Sequence, residues 1–118
     1  MQAKFRHGNP LMVDYTPSGA VAAGDVVVIG SVPFVAHNAI AADKLGALAA
    51  RGGVYRGVGT NGVTEGEEVF WDDTANTFED ANTAPSGSPH FGYACPGQTA
   101  GNPTGEIDVI HAPNGTTA

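Results

Sequence analysis

The sequence predicts a mainly β fold, a small compact β-barrel or sandwich with at most a short helix and an extended N-terminal arm. Three observations carry this. Seventeen Gly and eight Pro stand against 14% charged residues, a balance that penalises helix interiors and suits turns and strand edges. The apolar residues come in short β-branched runs, each closed by Gly, Pro or Asn. The length of 118 residues fits one domain, since two would each be too small to bury a good core. The expected division is an arm over residues 1–10, a single β-rich domain over 11–112 and a flexible tail over 113–118, whose "APNGTTA" has nothing to pack with.

The first ten residues hold Lys4, Arg6 and His7 around Phe5 and no acid, whereas the rest of the chain holds all twelve acids and three bases. Such a segment is either a frayed terminus or an arm that docks on something acidic. "LMVDYTP" at 11–17, "DVVVIG" at 25–30 and "VPFVA" at 32–36 read as strands. Val26 to Ile29 lack alternation, so both faces should be covered, which makes this run the candidate central core strand. "AIAADKLGALAA" at 39–50 has helical composition but is interrupted by Gly46, so a short helical turn running into a strand is expected. "GGVYRGVG" at 52–59 reads as a strand with a bulge or a close backbone approach.

Three strands begin with one device: Gly24-Asp25, Gly66-Glu67 and Gly105-Glu106. The unequal intervals exclude a solenoid and point to a recurring tight turn in an irregular barrel. The turn-rich segment 81–104 contains one short strand, His90 to Cys95; ordered loops of this kind often form binding or oligomer surfaces.

A net charge of −7 disfavours nucleic acid, which needs clustered Lys and Arg. No apolar run reaches membrane-spanning length, and "MQAKFRHGNP" lacks a signal-peptide core, so neither nucleic acid nor membrane is an expected partner and synthesis in the cytosol is expected. The single Cys95 gives no redox or zinc signature and reads as a small buried thiol.

The motifs for chemistry fail one by one. Asp72, Asp73 and Asn76 invite a calcium reading, but Thr77 and Thr83 stand where an EF-hand needs Gly and Glu. The acids from Glu65 to Asp80 include no recognisable general acid–base pair fixed by spacing. "GVGTNG" at 57–62 matches a dinucleotide fingerprint, yet "VTEGEEVFW" after it opens a strand, so Asn61-Gly62 reads as a hairpin turn. Neither Lys4 nor Lys44 follows a Gly, so there is no Walker lysine, and the four histidines form no His-x-x-x-His pair. No catalytic residue, metal ligand or cofactor is assigned.

"EEVFWDDTANTF", residues 67–78, is explained better as a hairpin. Asp73 can start a turn over Asp73-Thr74-Ala75-Asn76, and Asn76 tolerates the left-handed conformation that ends it. Trp71 then lies opposite Phe78, with Asp72 and Asp73 at the solvated end and Val69 sharing the Trp71 face. Val69, Trp71 and Phe78 are the candidate hairpin core or subunit interface.

The order "GDVVVIG", "GALAARGGVYRGVG", "EGEEVFWDDTANTF", "GEIDVIHA" resembles the small capsid cement, or decoration, proteins of tailed bacteriophages, over roughly residues 10 to 112. Members of that family often carry a RecA/RadA-like recombinase label, against which the missing phosphate loop argues. The resemblance implies a structural, non-enzymatic virion protein, made in the bacterial host cytoplasm and placed on the outer capsid surface. There it would oligomerise with itself, commonly as a trimer, and stabilise contacts between neighbouring copies of the major capsid protein. Lys4, Phe5, Arg6 and His7 are then the candidate capsid contact, with β-augmentation as one mode. A second reading is a virion-associated carbohydrate- or host-surface-binding β module using His90, Phe91 and Tyr93. A third is an acid-based hydrolase in which Asp72 or Glu68 converges on a cleft.

Overall fold

The computed structural model describes residues 1–60, 62–98 and 105–118. Ten strands build it: β1 (Lys4–His7), β2 (Leu11–Tyr15), β3 (Val26–Ile29), β4 (Val32–Val35), β5 (Gly46–Arg51), β6 (Val54–Val58), β7 (Glu68–Asp72), β8 (Thr77–Glu79), β9 (His90–Ala94) and β10 (Glu106–His111). They form a six-stranded sheet in the order β1-β6-β10-β9-β7-β8 and a four-stranded sheet in the order β2-β5-β4-β3. The strand pairs are antiparallel, and no helix occurs among the described residues. The arrangement is a sandwich rather than a closed barrel, although a parallel bridge from Gly59 to Phe78 begins to curl the larger sheet onto itself.

The ribbon that joins the sheets explains several glycines. β1 pairs with β6 in the larger sheet, while β2 pairs with β5 in the smaller one, so two paired segments cross from sheet to sheet side by side. At the crossing the backbones nearly touch: a Cβ on Gly8 would stand 2.6 Å from the Gly53 Cα, and Gly8, Gly52 and Gly53 all have positive φ. Only residues without a side chain fit there. The close approach expected at 52–59 is this crossover.

The recurring Gly-acid device is a turn. Gly24, Gly66 and Gly105 have φ of 86°, 76° and 70°. In the first two, the acid's N–H donates to a carbonyl three residues back, Ala22 and Thr64, and its carboxylate accepts the N–H of that same residue. The acid thereby closes the turn and starts the strand.

One core lies between the sheets, holding Tyr55, Val69, Trp71, Phe78, Phe91, Ile107 and Val109 from the larger sheet and Val26, Val35 and Ala49 from the smaller. A second, smaller cluster of Ala36, Ile40 and Leu48 lies on the other side of the smaller sheet, with Val13, Val27 and Phe34 packed against it. The absence of alternation in Val26 to Ile29 has its cause here: one set of side chains feeds the main core and the other the outer cluster. The expectation that this run is the central strand is wrong, because β3 is an edge strand and Ile29 is exposed.

Three further expectations change. Residues 41–45 form turns, and Gly46 begins β5, so no helical turn precedes the strand. The segment 113–118 is tied by backbone bonds: His90 N–H donates to the Thr116 carbonyl, Ala118 N–H to Ser88 and Gly87 N–H to Ala118, which pairs it with residues 87–90 at the start of β9. Cys95 is half-buried rather than buried, with burial pushing its thiol up. The proposed Asn61-Gly62 turn and residues 99–104 of the long segment include positions outside the described residues.

Candidate functional site

The N-terminal segment forms the exposed edge of the larger sheet. β1 pairs Lys4 with Arg56, Phe5 with Tyr55 and His7 with Val54, with a register shift between Phe5 and His7 that leaves Arg6 as the bulged residue. All four side chains are exposed. What precedes β1 is tied down: Ala3 is buried, its N–H donates to the Gly24 carbonyl at 2.9 Å, and the Gln2 Oε1 accepts the Val26 N–H at 2.8 Å. A short strand with little alternation gave no sequence signal, so an arm was the natural expectation; here it is an edge strand anchored at both ends.

Phe5 is 37% exposed and turns its ring inward. The ring lies 4.6 Å from that of His37 and 5.5 Å from that of Tyr55, while His37 Nε2 and Tyr55 Oη share a 2.5 Å hydrogen bond. Burial pushes His37 down and Tyr55 up, so both are neutral near pH 7 and one proton serves the bond. Beside them lies an apolar groove of about 200 Å³, bounded by Met1, Ala3, Phe5, Ala36 and His37. His37 and Ala36 carry no sequence pattern that places them beside Phe5; only the fold joins them.

Charge is polarised across the same sheet. Of the five Lys and Arg residues, Lys4 and Arg6 are on β1, Arg56 is opposite Lys4 on β6, and Arg51 ends β5 beside the crossover. Glu65, Glu67 and Glu68 lie exposed at the start of β7, on the far side of β10 and β9. β1 itself therefore carries two cations and no acid on an acidic molecule, while Arg56 beside it is paired with Asp108.

The hairpin forms with the predicted register, Trp71 opposite Phe78 and Asp72 opposite Thr77. Asn76 takes φ of 59°. The turn is started by Asp72 rather than Asp73: its Oδ1 accepts the N–H groups of Thr74 and Ala75 at 2.9 and 3.0 Å. Asp72 is consequently buried, not at the solvated end, while Asp73 is exposed and accepts the Trp71 Nε1–H at 3.1 Å. Val69, Trp71 and Phe78 are fully buried in this chain's own core, Trp71 and Phe78 meeting edge-on at 5.1 Å. They present no surface to a neighbour.

Asp72 and Glu68, the acids of the hydrolase reading, do not converge on one cleft. The Ala75 N–H above all holds the Asp72 carboxyl below the usual carboxylate range, whereas burial and then Asp72 push Glu79 up. A shallow cleft of about 220 Å³ is bounded by Asp72 and Asp73, together with Trp71 and Pro85 to Pro89, and Glu68 is not part of it. Glu68 instead lies 3.6 Å from His90 Nε2. Among the described residues no group of three or more His, Cys, Asp or Glu is arranged to hold a metal ion. Nor is any helix long and apolar enough to cross a membrane. Of the proposed sugar-binding aromatics, His90 and Phe91 are fully buried and only Tyr93 reaches the surface, so no aromatic platform forms.

Comparison with known proteins agrees with the resemblance carried by the four quoted segments. The family model described as "Phage cement protein" matches residues 5–109, from β1 through β10, and so includes both the exposed edge strand and the hairpin. Comparison with curated proteins and with solved structures returns no match. Nearly the whole fold lies inside the matched region, and the chain belongs to the phage cement protein family, a structural family of the phage capsid.

Proposed function

We propose that the chain is a cement subunit on the outer surface of the phage head, where it ties together neighbouring copies of the major capsid protein. The observation that carries this reading is β1: an exposed edge strand bearing Lys4, Phe5, Arg6 and His7 on a chain of net charge −7. An edge strand offers backbone donors and acceptors to an added strand, and the groove beside Phe5 offers a seat for its side chains. The capsid partner is expected to bring acids to this edge. Self-association, commonly as a trimer in proteins this chain resembles, would let individually weak contacts add up. The role needs no catalytic group and no cofactor.

The test is decoration of mature heads that lack the protein. Deleting residues 2–9 would remove buried Ala3 and the whole edge strand, so substitution is the cleaner probe. The Lys4→Glu, Arg6→Glu double variant keeps the strand and reverses its charge. Its binding to heads should fall by about tenfold or more, with an unchanged melting temperature. Undiminished binding removes the β1 contact, and a wild-type chain with no affinity for such heads removes the cement role.

A further inference from the structure

The outer face of the larger sheet carries a pattern that capsid attachment through the β1 edge does not use. Tyr55, Ile107, Val109 and His111 fill the core, so the alternate residues Val54, Arg56, Val58, Asp108 and Ile110 point to the other side. The register sets Val54 opposite Ile110, Arg56 opposite Asp108, and Ile110 opposite Tyr93. Ile110 and Tyr93 are each 38% exposed and Val58 49%. Beside these apolar side chains stands an ion pair, Arg56 Nε to Asp108 Oδ1 at 2.7 Å and Nη2 to Oδ2 at 3.2 Å, flanked on the same face by Lys4 opposite Arg56 and by Glu106 opposite Val58, so the β1–β6 half is cationic and the β10 half anionic. The ion pair employs two of the guanidinium's nitrogens, which leaves donor capacity for a second carboxylate.

This pattern is self-complementary. A half-turn about an axis that runs parallel to β6 and β10, above the outer face and centred over the gap between them, sets each of the two strands over the other strand of a second copy. It brings Arg56 of one copy over Asp108 of the other, Asp108 over Arg56, and Val54 over Ile110. We propose that a second copy of this chain packs on this face across such a two-fold axis. A chain of net charge −7 repels its own copies in general, and here each copy brings both signs in the order the other requires. A partner of one sign would meet the wrong charge at half of the pair.

The contact goes beyond the role put forward above. A two-fold contact does not by itself build a trimer, so if the chain forms the trimer named in the proposal above, this contact joins copies belonging to different trimers. The patch spans three strands and four residue steps, about 10 Å by about 13 Å. That is small, so the contact is weak between free molecules and strengthened where a surface holds copies side by side.

The experiment mixes two variants, Arg56→Glu and Asp108→Lys, each checked for an intact β fold by circular dichroism. One brings two acids to the patch and the other two bases. In sedimentation velocity, wild-type protein should double its mass with rising concentration. Each variant alone should lose that step by roughly tenfold or more in affinity, and the equimolar mixture should regain it. The proposal is overturned if wild type never doubles, if either variant doubles as wild type does, or if the mixture stays apart. Head decoration by the same samples separates the two ideas: binding to heads without doubling overturns this contact and leaves the cement role standing.

Discussion

Every aromatic ring in the main core comes from the six-stranded sheet, whereas the four-stranded sheet meets it with Val26, Val28, Val35 and Ala49. The larger sheet is also continuous, while β4 and β5 of the smaller one pair only at Val35 and Ala49. Pro33 lies in β4, where it has no N–H to give, and its carbonyl instead accepts the Nε2–H of His111, which reaches across from the larger sheet at 2.7 Å. One sheet supplies shape and the other a thin apolar cover, plugged where its ladder opens. The difference teaches that the larger sheet specifies the packing and the smaller one adapts to it.

That division is open to attack by mutation. Trp71→Ala, deep in the larger sheet, should cost about 3–5 kcal/mol. Phe34→Ala, half-buried on the outer cluster, should cost less than half as much in the same denaturant titration; equal costs would erase the contrast.

The His111 plug sets the next effect. Burial pushes its imidazole down to about 4 from an ordinary 6.5, so between those values the unfolded chain binds more protons than the folded one. Stability is then complete above pH 6.5 and falls as pH drops toward 4, by roughly 3 kcal/mol in all. His37 and His90, also pushed down by burial, act in the same direction. His111→Gln keeps a donor for Pro33 and should flatten the dependence of the urea midpoint on pH, while an unchanged slope would place the acid sensitivity elsewhere.

At the crossover between sheets, Gly8→Ala must put a Cβ at 2.6 Å from Gly53 Cα and should lower stability by about 2 kcal/mol. Smallest is the turn: Asn76→Ala should cost about 1 kcal/mol for its left-handed backbone, and Asn76→Gly should cost nothing. A melting series in which Asn76→Ala exceeded Gly8→Ala would put the weak point in the hairpin rather than between the sheets.

The sequence disclosed the larger sheet better than the smaller. Its hairpin was readable because the turn residues and the aromatic pair agree on one register, Trp71 to Phe78. Which aspartate starts the turn is not legible in the sequence, because Asp72 and Asp73 are alike in chemistry and differ only in which one the backbone turns inward. In the smaller sheet, Val26 to Ile29 feed apolar side chains to both faces as a central strand would, but burial of the faces does not reveal whether both edges are paired, and β3 is paired on one edge only. β1 is not legible as a strand because its partner β6 lies some 50 residues away and three of its four side chains, Lys4, Arg6 and His7, are polar, leaving no apolar alternation around Phe5. The groove at Phe5 was invisible for the same reason: His37 and Ala36 reach it only through the fold.

The crossover ribbon has a mechanical side. A segment joined to the edge of β1 would pull that strand lengthwise, so its bonds to β6 share the load at once instead of opening one after another. Beyond the bulge at Arg6 the same chain continues through Gly8 into β2, whose five-residue pairing with β5 takes up the remaining tension in the other sheet. A fastening made at that edge would thus be held by both layers, like a strap stitched through two thicknesses of cloth.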